Sequence, residues 1–305
     1  MAVDLGRVGI WSRELRYNRD PGARAAAAAE LEDLEYGAIF IPDAGPDTGG
    51  DVLDAVAHLL AATKRMPLAT GVLNIWMNEP ADVAVRCASL LARFGPRFQL
   101  GLGNSHAPLV EGVLGVPYTR PYTKMTAYLD ALDGAEPPIP AGGRMLAALG
   151  PRMLSLARAR AGAAHPYLVP PEHTAAARQA LGPGIVLAPE QAVLLGADRR
   201  VTRERARAFV QDYLALPNYV RNLRRLGFTE DDLAGQASDR LVDALVAHGD
   251  EDAIAARVRA HHDAGADHVC IYVFGSGPDS GSGSGSGHEA IPLGAWRRLA
   301  PVLTG

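Results

Sequence analysis

Apolar residues recur along this chain in two alternating forms: short unbroken runs, and longer stretches in which they return every third or fourth position. The short runs read as strands buried on both faces and the longer stretches as helices with one apolar stripe. Runs at 7–11, 38–42, 67–75 and 97–103 predict four strands, followed in turn by helices over about 21–36, 51–64, 80–94 and 120–133. Runs at 144–149, 164–169, 184–195 and 268–274 predict four more, with helices over about 151–161, 171–181, 202–216 and 250–264. Pro189 breaks or bends the seventh strand, because proline cannot donate to a ladder. Eight strand-helix alternations predict an α/β protein, a (β/α)8 TIM barrel, as one domain over 1–305. A helical insertion at about 217–249 precedes strand 8. The Gly/Ser segment 275–287 has no apolar anchor and is a flexible loop, either a lid at the barrel mouth or slack chain.

Composition narrows the classes of partner. With 48% hydrophobic and 21% charged residues, burial offsets the entropy of ordering the chain. The formal charge of −4 comes from interspersed acids and bases, with no basic stripe for a phosphate backbone, so no nucleic-acid partner is expected. Cys87 and Cys270 fall in apolar patterns and read as small buried hydrophobes. No window resembles a membrane span or a secretory leader, so the expectation is a cytoplasmic protein without a membrane partner. HExxH, CxxC, paired-carboxylate and GxSxG spacings are missing, which argues against metal hydrolysis, glycosidase and esterase chemistry, and no metal ligands are assigned.

Candidate chemistry gathers where strands end, the face on which barrel sites are built. Ala148-Leu149-Gly150-Pro151-Arg152 joins a strand end to a helix start. Its glycine admits a ligand to the backbone, and its first-turn proline leaves amides facing an anion; the same segment would also serve as an ordinary strand-to-helix turn. Gly101-Leu102-Gly103-Asn104-Ser105-His106 offers room for a flat ring and a histidine able to exchange protons, or a surface histidine. Asp43 ends strand 2, where it either binds a ligand or caps the loop. Thr70-Gly71-Val72-Leu73-Asn74 and Trp11 bring small, amide and aromatic groups to the same rim.

Taken in order, these segments resemble the bacterial luciferase-like monooxygenase superfamily, specifically its F420-dependent oxidoreductase branch, from strand 1 to Trp296-Arg297-Arg298-Leu299-Ala300-Pro301. The resemblance implies a deazaflavin lying across the barrel mouth. Asp43, Asn104 and Ser105 would surround it, Gly71 and Val72 would back its ring through a non-prolyl cis peptide, and Ala148, Leu149, Gly150, Pro151 and Arg152 would hold its phosphate. It further implies a proton-handling role for His106 and a substrate pocket walled by Trp11, Asn74 and Tyr219. Ala44 stands where relatives carry histidine. Richness in Ala, Arg, Gly and Pro fits a GC-rich genome of the kind in which F420 is common, which favours coenzyme F420 over FMN. The expected reaction is hydride transfer between F420 and a small organic substrate, in a protein that pairs as a homodimer. The alternatives are an FMN-dependent monooxygenase on the same barrel and a non-catalytic F420- or flavin-binding protein.

Overall fold

The computed structural model describes residues 3–43, 50–275 and 290–305. Its strands are β1 (Val8–Trp11), β2 (Ile39–Ile41), β3 (Leu68–Thr70), β4 (Leu73–Asn74), β5 (Phe98–Gly103), β6 (Arg144–Leu146), β7 (Ala163–Ala164), β8 (Val186–Leu187), β9 (Glu190–Leu195), β10 (Val246–Gly249) and β11 (Val269–Val273). Every pairing is parallel. The order is β10-β9-β11-β1-β2-β3-β5-β6-β7-β8, with β4 paired to β5. Ala188-Pro189 joins β8, at one end of this path, to β9, near the other, so the sheet is curled.

The curl separates two layers of core. Alternate strand residues such as Ile10, Ile39, Leu68 and Leu100 point outward and pack on helix residues such as Leu59, Leu129 and Ala157, all essentially inaccessible. Their neighbours Trp11, Phe40, Ala69, Met145, Cys270 and Tyr272 fill the inside of the curl. This period-two division is what runs buried on both faces require. The C-terminal helix Leu293–Leu303 is tied to the first strand-helix unit: Trp296 is fully buried, and the Tyr36 hydroxyl donates to its carbonyl at 2.9 Å. No helix among the described residues is long and apolar enough to cross a membrane.

Several expected boundaries move. The third run divides at Gly71-Val72 into β3 and β4. β6 and β7 are shorter than the runs that predict them, because the residues beyond each strand turn into the loops at the mouth. Within the expected polar loop 104–119 lies a short helix, Ala107–Gly112. The stretch 217–249 is helical only in part: helices Pro217–Arg225, Glu230–Leu233 and Asp239–Leu245 lead directly into β10, which pairs with β9. Leu245-Val246-Ala247 is too short a run for periodicity to separate strand from helix. His248 accordingly lies on this strand, with one ring nitrogen 3.0 Å from Thr202 Oγ1 and the other 2.8 Å from Asp243. Residues 276–287 of the expected loop, His288 and Ala44 lie outside the described residues.

Candidate active site

The carboxyl ends of β1, β2, β4, β5 and β6 and the loops beyond them enclose a cavity of about 790 Å³. Trp11, Asp43, Gly71, Val72, Asn74, Asn104, Ser105, His106, Ala148, Leu149, Gly150, Arg152 and Tyr219 all line it. Pro151 is not on its wall; it begins the helix Pro151–Arg160 just behind. Residues far apart in sequence thus meet because consecutive parallel strands deliver their ends to one rim.

One wall is built around the Gly71–Val72 peptide, which is cis. The Trp11 indole N–H donates to the Gly71 carbonyl at 2.6 Å, and the Asp43 amide donates to the Val72 carbonyl at 3.3 Å. The Asp43 carboxylate in turn accepts from the Asn74 amide at 3.1 Å and the Asn78 side-chain amide at 2.9 Å. Asp43 therefore knits β2 to the turn after β4, and burial pushes its carboxyl pKa up despite these donors. Glycines let the chain close up around this wall: a side chain on Gly103 would collide with Val72, and one on Gly101, behind the wall, would land on the Thr70 carbonyl. Thr70 Oγ1 bridges the strands there, donating to the Gly101 carbonyl at 2.7 Å and accepting its amide at 2.8 Å.

His106 lines the same cavity and opens the helix Ala107–Gly112 from a half-buried position, its ring 5.8 Å from that of Tyr219. Burial lowers its pKa, so the imidazole is neutral at neutral pH and can take a proton. The loop presenting it is braced: the Trp76 indole donates to the Asn104 carbonyl at 2.9 Å, and the Tyr118 hydroxyl donates to the Ser105 carbonyl at 3.2 Å.

Also on the cavity, Gly150 precedes the helix Pro151–Arg160 without a side-chain cap, and no acid occupies the first turn. The amides of such a helix start present partial positive charge. His173 Nε2 donates to the Leu149 carbonyl at 2.8 Å and fixes the turn from behind. Arg152 lies over the Tyr122 ring at 4.3 Å. Arg225 approaches so closely that its Nη1 would be 3.3 Å from a Cβ on Gly150.

The cavity also contains residues that the sequence reading passes over: Tyr167, Tyr213, His165, Arg221 and Arg225. Tyr167 packs 5.4 Å from Trp11 and shares a 3.0 Å hydrogen bond with the Tyr213 hydroxyl. Next to them is Glu190, wholly buried, accepting the Leu168 amide at 2.8 Å and held protonated at neutral pH by desolvation, which raises its pKa to about 8. The one available signal was spacing: Arg221 and Arg225 are four apart on a helix, hence on one face with each other. The tyrosines carry no sequence signal, since only the fold brings 167 to 213.

A flat, polar-edged anionic cofactor fits these residues. Asn74 Nδ2, Asn104 Oδ1 and His165 Nε2 are buried at the cavity without hydrogen-bond partners among the described residues, which is costly unless a ligand supplies them. The glycine-lined wall suits a ring system and the uncapped helix with its arginines suits a phosphate.

Residues 9–268 match the family model of the luciferase-like monooxygenases, and the chain belongs to that family. Over 124 residues it is 27% identical to a Mycobacterium tuberculosis protein bearing the name of a coenzyme F420-dependent oxidoreductase; the match takes in 41% of this chain and only 33% of that relative's length. The solved coenzyme F420-dependent tetrahydromethanopterin reductase from Methanopyrus kandleri shares the fold at a TM-score of 0.72, with 17% identity and 99% of each chain aligned. EDTA monooxygenase from Chelativorans sp. BNC1 shares it at 0.67, with 14% identity over 98% of this chain and 93% of its own.

Proposed function

We propose that this chain is an F420-dependent oxidoreductase that moves a hydride between the deazaflavin and a small organic substrate, on a (β/α)8 barrel whose ring is completed through Ala188-Pro189. The observation that carries this reading is the single cavity joining a glycine-lined wall, a neutral half-buried histidine and an uncapped, arginine-flanked helix start. In this reading Gly71, Val72 and Asp43 back the ring, Asn104 and Ser105 border it, and Ala148, Leu149, Gly150 and Arg152 hold the phosphate. When bound, F420 supplies two-electron hydride chemistry.

The chain's own residues then position and gate. Trp11 and Asp43 fix the wall from both sides of Gly71-Val72. His106 takes a proton from a substrate hydroxyl, or returns one, from the side facing Tyr219. Trp11, Tyr167 and Tyr219 exclude water from the substrate, and Asn74 offers an amide to a polar substituent.

Titrations of the protein with F420, FMN and NADPH in parallel test the reading. F420 is expected to bind most tightly and FMN weakly, without oxygen consumption on reduction. Tight retention of FMN through purification, with oxygen uptake, would favour the monooxygenase alternative.

A further inference from the structure

His165 holds an acceptor that the described residues leave unused. It continues the ladder beyond β7, its amide donating to the Leu146 carbonyl at 2.9 Å, so its side chain falls on the inside of the curl, as that of Ala163 does two positions earlier. There the ring packs 5.1 Å from Phe40 and lines the cavity while only 2% exposed. Its Nδ1 lies 2.6 Å from the Ala188 carbonyl, an oxygen that can only accept, so Nδ1 carries the proton and Nε2 keeps a lone pair. Burial lowers the pKa to about 4, which leaves that lone pair unprotonated at neutral pH. Nε2 has no partner among the described residues, and a buried acceptor left so is costly until a ligand supplies a donor.

The surroundings say what kind of donor. Tyr167, two residues on and also on the cavity, joins a series of rings: Trp11 at 5.4 Å and Tyr213 at 5.6 Å, then Tyr219 at 5.2 Å from Tyr213. Trp11, Tyr167 and Tyr219 enclose the substrate when the deazaflavin lies on the Gly71–Val72 wall, so a lone pair on the same face as Tyr167 meets the substrate. Asp43 is the only acid on the cavity among the described residues, and its carboxylate already accepts from Asn74 and Asn78, so nothing there would hold a cationic donor. Resting on the deazaflavin reading, we propose that His165 Nε2 is a specificity-determining acceptor for a neutral hydroxyl or N–H on a substrate with an apolar body, a group separate from the hydroxyl that meets His106. An ether, a ketone or a carboxylate in that place brings no proton and leaves the nitrogen unpaired.

The test is equilibrium binding to the F420-loaded protein, read by ligand-observed NMR, of three probes that share one ring: benzyl alcohol, benzyl methyl ether and toluene. The wild type is expected to bind the alcohol roughly tenfold more tightly than the ether or the hydrocarbon. In His165→Asn, whose amide N–H can still reach the Ala188 carbonyl but which lacks the Nε2 position, that preference should disappear while F420 affinity and Tm stay at the wild-type level. His165→Gln, whose amide oxygen can reach the lost position, should restore part of it. In wild-type protein labelled with 15N-histidine, the Nε2 resonance that is missing from both variants should shift with the alcohol and stay with the ether, a readout that needs no activity. Equal wild-type affinity for alcohol and ether, no binding of any probe, or a preference that survives in His165→Asn overturns the assignment while leaving the ring site standing. So does a loss of F420 affinity in His165→Asn with the alcohol preference intact, which would give the nitrogen to the cofactor. Failure of the wild type to bind F420 overturns the deazaflavin reading itself.

Discussion

At His106 the governing quantity is desolvation. Burial disfavours the imidazolium and moves the pKa below its ordinary value, so the group is neutral across the neutral range and becomes charged only at lower pH. If proton acceptance is its role, turnover should fall as pH drops through that depressed pKa, placing the acid limb below the ordinary histidine range; a rate independent of pH there would remove His106 from the proton path. His106→Ala should lower turnover about a hundredfold or more while cofactor affinity stays within a few-fold. His106 was legible in the sequence because it follows a glycine-rich strand end, as Gly150 was because it stands between an apolar run and a helix-starting proline. Arg225 and Tyr167 were not, since a side chain reaching across a cavity from another element leaves no mark on its own neighbours. Pro151, which belongs to the same motif as Gly150, stands at the first position of its helix and off the cavity wall.

Among the elements, the strand ends and the helix starts tolerate change differently. A methyl group at Gly101 meets a backbone carbonyl that cannot withdraw, whereas one at Gly150 meets the far end of an arginine that can. Gly101→Ala should therefore cost about 1–3 kcal/mol of stability or more, as overpacking does. Gly150→Ala, in an extended conformation open to alanine, should leave thermal stability nearly unchanged and weaken binding of the phosphorylated deazaflavins. Thermal unfolding beside cofactor titration separates the two, and equal loss of stability in both variants would contradict the picture. Most of the strand-helix alternation could be read from hydrophobic period alone. What escaped was β10, a run too short to show a period, and the helix Ala107–Gly112, whose single buried residue Val110 makes no apolar stripe. The split between β3 and β4 falls where the wall of the site interrupts the ladder.

For the whole molecule, buried ionisable groups set how stability responds to pH. His165 and His268 are lowered to about 4 and His261 to about 3, all chiefly by desolvation. Unfolded, each takes up a proton near its ordinary pKa of 6.5, so these groups withdraw stability as pH falls from there toward about 4. Glu190 acts in the other direction. Its carboxyl keeps its proton up to about 8 in the fold but loses it near 4.5 when unfolded, so its contribution declines as pH rises across that window. Glu190→Gln, which mimics the protonated acid, should therefore raise Tm relative to the wild type by an amount that grows from about pH 5 to about pH 8; a constant difference would show that the acid is ionised in the fold. The central claim, that one cavity holds the deazaflavin ring on the Gly71-Val72 wall and its phosphate at Gly150, is tested most directly by a crystal structure of the protein with F420. The predicted result has the phosphate within hydrogen-bond reach of the Gly150 turn and Arg225, and the ring stacked on Gly71 and Val72 with His106 on its exposed side. A phosphate bound elsewhere, or a ring turned away from that wall, would contradict it.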